Sequence, residues 1–76
     1  MRFWTHRVMR RKIKGEYFYG IHEVHFDTPE KIEGWTEEEM APCGDSLNEL
    51  KDAVKFFRKA LDEPVLDYET GKAIDG

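Results

Sequence analysis

The sequence predicts one α+β domain, a three-stranded antiparallel meander followed by a single amphipathic helix (β-β-β-α). Two observations favour this class: aromatic and β-branched segments fill the first half of the 76 residues, and a capped apolar stripe of helical periodicity follows. A chain of this length has room for one hydrophobic core. We therefore assign residues 1–66 to a single domain. Residues 67–76 are polar and contain glycine, so we expect a frayed C-terminal tail there.

Turn signals separate the strands. Lys14-Gly15 provides a hairpin turn, because glycine tolerates the positive φ that a tight hairpin needs. Residues 27–30 then break the β pattern, and Pro42 ends the meander because proline cannot donate a hydrogen bond to a strand ladder. The predicted strands are residues 3–13, 17–26 and, more weakly, 35–40.

The helix has the clearest signals. Ser46 is its predicted N-cap, and Glu49, three residues later, completes a capping box. Pro64 ends the helix shortly after the last apolar position. We expect the sheet to pack one of its faces against the apolar stripe, which consists of Leu47, Leu50, Val54, Phe57 and Leu61.

The register of the first hairpin decides which side chains share a face of the sheet, and two registers are open. A two-residue loop places Arg7 opposite His22, whereas a three-residue loop with a glycine bulge places Arg7 opposite Glu23. The second register forms a cross-strand charge pair, and we prefer it for that reason. It also collects one set of apolar residues on the core-facing side, namely Trp4, Val8, Phe18, Val24 and Phe26.

In the preferred register, the outer face of the sheet is unusually apolar and basic for a solvated surface. The residues of this predicted interaction face are Arg7, Met9, Arg11, Tyr17, Tyr19 and Ile21. Such a face is typically covered by another protein. We therefore interpret the domain as a non-enzymatic protein-interaction module, whose partner is a second copy in a homodimer or another protein. Interleaved arginines and tyrosines leave an alternative, a small RNA- or nucleic-acid-binding protein.

The charges are unevenly distributed. Residues 1–15 hold six of the twelve basic residues and none of the sixteen acidic ones, although the net charge is −4. This basic segment either pairs with acidic neighbours within the fold or forms a patch for nucleic acid or an acidic partner. No apolar run is long enough to cross a bilayer, and no signal-peptide core begins the sequence. We expect a cytoplasmic protein without a membrane partner.

The sequence does not indicate catalysis, and we predict no catalytic residue, metal or cofactor. His22 and His25 are three apart on a strand and point to opposite sides. His6 and His22 share a side in the preferred register, but no third metal ligand is convincingly placed. Cys43 is the only cysteine and is interpreted as an unreactive thiol. A metal-assisted activity around His6 and His22 is the remaining enzyme hypothesis.

Three segments carry a resemblance to known proteins: Gly-Ile-His-Glu-Val at residues 20–24, Gly-Trp-Thr-Glu at 34–37 and Gly-Asp-Ser-Leu-Asn-Glu-Leu at 44–50. In this order and spacing they resemble a group of small uncharacterised bacterial and phage proteins, a resemblance that implies no activity. Residues 44–50, after a meander, are more distantly similar to antitoxins of HicB type. That resemblance implies a partial double-stranded-RNA-binding-like fold that masks a small RNA-cleaving toxin, often as a dimer. The glycine-rich second hairpin of that family is missing here.

Overall fold

The computed structural model describes residues 2–74. Their elements, in chain order, are strand β1 (Phe3–Ile13), strand β2 (Glu16–Thr28), strand β3 (Lys31–Trp35), helix α1 (Leu47–Lys59), a 3₁₀ turn (Ala60–Asp62) and strand β4 (Leu66–Asp67). The strands form one sheet in the order β3-β2-β1-β4. Strands β1, β2 and β3 are antiparallel, and β4 runs parallel to β1. No helix within residues 2–74 is long and apolar enough to cross a membrane.

The predicted α+β class with an antiparallel meander and one helix is confirmed, but the third strand lies elsewhere. It occupies Lys31–Trp35 and not residues 35–40. A short turn after Thr28 returns the chain at once to the edge of β2, and irregular pairing around Phe26 adjusts the register. Thr36 is still bonded to β2, because its amide donates to the Glu23 carbonyl oxygen at 3.0 Å. Its hydroxyl donates to the Glu38 carbonyl oxygen, also at 3.0 Å, within the loop that follows.

The hairpin between β1 and β2 has the two-residue loop, so the preferred register is wrong. Lys14 has a φ of 50° and Gly15 a φ of 84°, the pair of positive values typical of a type I′ turn. Arg7 therefore lies opposite His22 and not Glu23. A surface charge pair contributes only about 0.2–1 kcal/mol, which is too little to displace a turn whose twist matches that of the strands.

This register separates the residues that were expected to form one core face. Side chains alternate across a strand, so Trp4 and Val8 lie on the opposite side of the sheet from Phe18, Val24 and Phe26. We name the two sides by what covers them. The core side carries Met9, His22, Val24 and Phe26, and the helix side carries His6, Val8 and Ile21.

The main core lies on the core side, away from the helix. Met9, Val24, Phe26 and Leu66 form its buried cluster. The partly buried residues that pack around this cluster are Ile32, Trp35 and Tyr68. The expectation that the core forms between the sheet and the helix stripe is therefore wrong. The segment that follows the helix takes the place that was assigned to the helix itself.

Residues 65–74 fold back on themselves beside β1. The amide of Tyr68 donates to the Arg10 carbonyl oxygen at 2.9 Å, and the amide of Ile74 donates to the Val65 carbonyl oxygen at 2.8 Å. Gly71 is buried. Residues 67–74 thus differ from the frayed tail expected over residues 67–76, while residues 75 and 76 lie outside the described part of the chain. Strand β4 has only two residues, too few to show a periodicity in the sequence.

The helix begins as the sequence predicts. Ser46 is the N-cap, and its Oγ accepts a hydrogen bond from the Glu49 amide at 3.1 Å. The Glu49 carboxylate in turn accepts from the Asp45 amide at 2.8 Å. Gly44 is needed beside this cap, because an added Cβ would lie 2.7 Å from the Leu50 amide nitrogen. Residues 44–50 thus form the cap and the first turn of α1.

Candidate interaction surface

Helix α1 lies on the helix side of the sheet but buries very little against it. Within Leu47–Lys59 no residue is buried, and only Ala53 and Phe57 are half-buried. The Phe57 ring lies 4.2 Å from the His6 ring, centroid to centroid, which fixes the helix against β1. At 100° per residue, Ala53 lies about 40° to one side of Phe57, and Val54 lies about 60° to the other side. The alanine side therefore meets β1 together with Phe57, whereas the other members of the stripe stay exposed, namely Leu47, Leu50, Val54 and Leu61.

The C-terminal part of the stripe, which consists of Val54, Phe57 and Leu61, faces a groove whose other wall is built by β2 and the loop that leads to α1. Strand β3 pairs with the distal half of β2, from Val24 to Thr28, and leaves the edge near Ile21 without a strand. The loop takes this place, because the Met40 amide donates to the Ile21 carbonyl oxygen at 2.7 Å. Gly20 permits the approach, since an added Cβ would lie 2.8 Å from the Glu39 Cβ.

The helix–sheet groove between these walls has a volume of about 510 Å³. Its larger apolar side chains come from three parts of the chain, namely Tyr19, Ile21, Met40, Val54, Phe57 and Leu61. Leu61 is 67% exposed and Met40 41% exposed, so the apolar lining is open to solvent. One basic and one acidic residue also line the groove, Arg58 from the helix and Glu39 from the loop.

The structure divides the predicted interaction face between the two sides of the sheet. Arg7, Met9 and Arg11 lie on the core side, whereas Tyr17, Tyr19 and Ile21 lie on the helix side. Because the face was derived from the wrong register, it does not exist as one surface. Tyr19 and Ile21 nevertheless line the helix–sheet groove.

The three core-side members of that face have partners within the fold. Met9 is buried in the main core. The Arg7 Nη2 donates to the Pro64 carbonyl oxygen at 2.8 Å. The Arg11 guanidinium lies 4.2 Å from the centroid of the Tyr68 ring. These contacts hold the C-terminal segment against β1, which gives the basic first strand a structural role.

A smaller basic and aromatic cluster lies on the helix side near the hairpin turn. The Arg10 guanidinium carbon lies 4.1 Å from the centroid of the exposed Tyr17 ring, and the Lys12 Nζ lies 5.6 Å from the same centroid. Both distances fit cation–π contacts. The depression beside this cluster is also lined by two carboxylates, those of Asp67 and Glu69.

The histidines do not converge. His6 lies on the helix side of the sheet, whereas His22 is buried on the core side. The two imidazoles therefore cannot share a metal ion as the sequence hypothesis required. The His22 Nδ1 lies 3.0 Å from the Thr36 carbonyl oxygen, which fits a structural hydrogen bond. Among residues 2–74, no three or more His, Cys, Asp or Glu side chains are grouped so that they could hold a metal ion. Cys43 is exposed in the loop before α1.

The sequence interpretation missed most residues of the helix–sheet groove. Val54 and Leu61 were assigned to a buried stripe, and Met40 was assigned to a strand. The length of the chain could have predicted such a groove, because one helix and three strands of this size cannot cover every apolar residue. Comparisons with protein-family models, curated proteins and solved structures find no match for this chain.

Proposed function

We propose that this chain is a non-enzymatic protein-interaction domain that binds another polypeptide chain in its helix–sheet groove. The observation that supports the proposal is a helix that buries no residue in the protein's own core and whose apolar stripe, from Val54 to Leu61, lines an open, mostly apolar groove. Apolar patches of this kind on small proteins are typical of interaction sites.

The surface area of the chain supports the proposal quantitatively. Its accessible surface is 5938 Å². A folded monomer of this mass is expected to expose about 4,900 Å², so about 1,000 Å² is in excess. The radius of gyration of 13.0 Å also exceeds the value of about 11 Å expected for 76 residues in a compact domain. This excess is summed over the whole chain, and it is of the size that a protein partner buries on one side of a standard interface.

The chemistry of the groove favours a polypeptide occupant. Its walls offer apolar contacts from Ile21, Met40 and Val54, while Arg58 and Glu39 can set the orientation of an amphipathic segment. The resemblance of residues 44–50 to HicB-type antitoxins fits such a role, because those proteins act by covering another protein.

Photo-crosslinking at two neighbouring positions of β2 tests the proposal. Tyr19 and Phe18 are both exposed aromatic residues, but Tyr19 lines the groove and Phe18 lies on the other side of the sheet. A photoreactive phenylalanine analogue at position 19 should crosslink to another polypeptide, including a second copy, in cells that produce the protein. The analogue at position 18 should not. Equal yields at both positions, or no polypeptide crosslink at position 19, would contradict the proposal.

A second candidate is binding of single-stranded nucleic acid at the hairpin end of the helix side. It is supported by Tyr17, whose exposed ring could stack on a base beside the guanidinium of Arg10 and the ammonium of Lys12. The carboxylates of Asp67 and Glu69 offset most of the positive charge of the three basic residues that line the depression, namely Arg10, Lys12 and Lys72, and this ranks the candidate second. Retention of the protein on immobilised single-stranded RNA, lost as salt rises and lost in Tyr17→Ser, would support it. No retention at low salt would exclude it.

A further inference from the structure

We infer that the occupant of the helix–sheet groove is a second copy of this chain, held by an isologous two-fold contact around the exposed stripe of α1. The inference rests on the proposed function and names its partner. Three features of the groove support it: the area available, the symmetry of the stripe, and the charges at its rim.

The area matches what a symmetric dimer needs. A stable interface of standard size buries about 800 Å² on each partner. The excess surface of about 1,000 Å² on this chain is of that size, by the scaling that holds for monomeric proteins. Burial of about 800 Å² on each chain would remove most of that excess, which is summed over the whole molecule.

The stripe has the spacing of a helix–helix contact. Its members recur at alternating steps of three and four residues, which places them at the a and d positions of a heptad pattern. Val54 is the middle member, seven residues from both Leu47 and Leu61. A two-fold axis that passes near Val54 brings the exposed members of one stripe to those of the other, while Phe57 stays on His6 of its own chain. Leu47 of each copy then lies toward Leu61 of the other, in the 3₁₀ turn that follows α1.

The charges at the rim of one copy are complementary to those of a second copy related by the same two-fold axis. An isologous contact requires a patch that matches its own copy, because each residue meets the other copy of the same surface. The groove combines Arg58 on the helix wall with Glu39 on the loop wall, around an apolar centre. Lys51 lies two turns before Arg58, within about 20° of it around the helix, and so adds a second base on the same side of α1. Two copies can therefore pair helix bases with loop acids twice.

Sedimentation equilibrium with a matched pair of variants tests this inference. Val54 is 47% exposed and Phe56 59% exposed, and they lie two residues apart in α1 on nearly opposite sides, about 160° apart. Wild type should dimerise at micromolar concentration. Val54→Glu should raise the dissociation constant about a hundredfold or more, because the axis brings two like charges together in an apolar contact. Phe56→Glu should change it by less than about threefold, as expected for a residue outside the interface.

Oxidative crosslinking gives a readout that does not depend on a destabilising charge. In a Cys43→Ser background, Val54→Cys should form an intermolecular disulfide under copper–phenanthroline, because residues at a two-fold axis approach their own copies closely enough for one. Phe56→Cys in the same background should not. A disulfide of equal yield in both variants, or in neither, would contradict the proposed axis.

The result that overturns the inference differs from the result that overturns the proposed function. A wild-type protein that stays monomeric into the millimolar range, or a Val54→Glu variant that dimerises as wild type does, excludes a second copy in the groove. If position 19 still crosslinks to a different polypeptide, the proposed function stands and only its partner changes. If position 19 crosslinks to nothing, both are wrong.

Discussion

Replacement of Gly71 by alanine should destabilise the fold more than any other glycine replacement in β1–β4 or their turns. Gly71 is buried and has a φ of 73°, a conformation that costs an L-amino acid energy. A Cβ at this position would lie 2.6 Å from the Trp35 Cζ3 and 3.0 Å from the Trp35 Cη2. Trp35 packs against the main core, so the ring cannot move away freely.

The expected loss of unfolding free energy has two parts. The left-handed backbone contributes about 1 kcal/mol for a non-glycine residue. The overlap with the indole contributes about 1–3 kcal/mol, the usual cost of overpacking a core. The sum of about 2–4 kcal/mol is a large fraction of the few kcal/mol by which a domain of this size is stable.

Urea unfolding, followed by tryptophan fluorescence at one fixed protein concentration, measures this loss. Two other glycines provide controls that separate the two parts. Gly15 has a φ of 84° but open space around it, so Gly15→Ala should lose only about 1 kcal/mol. Gly34 has open space and no positive φ, so Gly34→Ala should change stability by less than about 0.5 kcal/mol.

A double variant tests the proposed clash directly. Gly71→Ala combined with Trp35→Leu should lose less than the sum of the two single losses, because the smaller side chain relieves the overlap. The reasoning is refuted if Gly71→Ala costs no more than Gly15→Ala. The C-terminal segment would then not pack on Trp35, and residues 67–74 would be the frayed tail that the sequence suggests.

Substitutions at three further positions test other parts of the fold by the same unfolding assay. Leu66→Ala should lose about 2–4 kcal/mol, because Leu66 is 3% exposed in the main core; a loss below about 1 kcal/mol would place β4 outside that core. Ser46→Ala should lose about 1 kcal/mol by removing the helix cap, while Ser46→Asp should keep most of the stability; equal losses would argue against the cap. Lys14→Asn should gain about 0.5 kcal/mol, since asparagine tolerates the left-handed conformation better than lysine, and a loss would argue against the type I′ turn.

Local signals in the sequence were sufficient to predict those elements whose formation depends on only a few neighbouring residues. Strand β1, the Lys14-Gly15 turn and the Ser46 cap each depend on neighbouring residues, and the structure has all three. The stripe of α1 was also correct as a pattern. A pattern identifies the apolar side of a helix, but it does not reveal what that side contacts.

The choice of hairpin register depended on a comparison of small energies. The pair of Arg7 and Glu23 favoured the bulged loop, whereas the turn at Lys14 favoured the two-residue loop. The turn outweighed the pair because its twist fits both strands, while a charge pair at the surface is weak. A shift of one residue in the register moves every side chain of one strand to the other face of the sheet. The wrong register is therefore also the reason why the predicted interaction face is divided between the two faces.

No local signal in the sequence predicted that the C-terminal segment covers the main core. Val65 and Leu66 follow Pro64 in a polar stretch, and nothing nearby indicates that they pair with β1 in parallel. The pairing depends on Met9 and Tyr68, which are far apart in the sequence. Because this segment covers the core side, the helix is left with the smaller contact on the other side, and the groove results from that division.

Oxidation of the two methionines at positions 9 and 40 is the most direct test of whether the helix–sheet groove is covered by another chain. Met40 is 41% exposed in the groove, and Met9 is 1% exposed in the core. Mass spectrometry after brief peroxide treatment should show Met40 sulfoxide in dilute protein, and much less of it at high concentration, while Met9 stays reduced throughout. Met40 oxidation at one constant rate, at every protein concentration and in extracts of cells that produce the protein, would contradict a binding role for the groove.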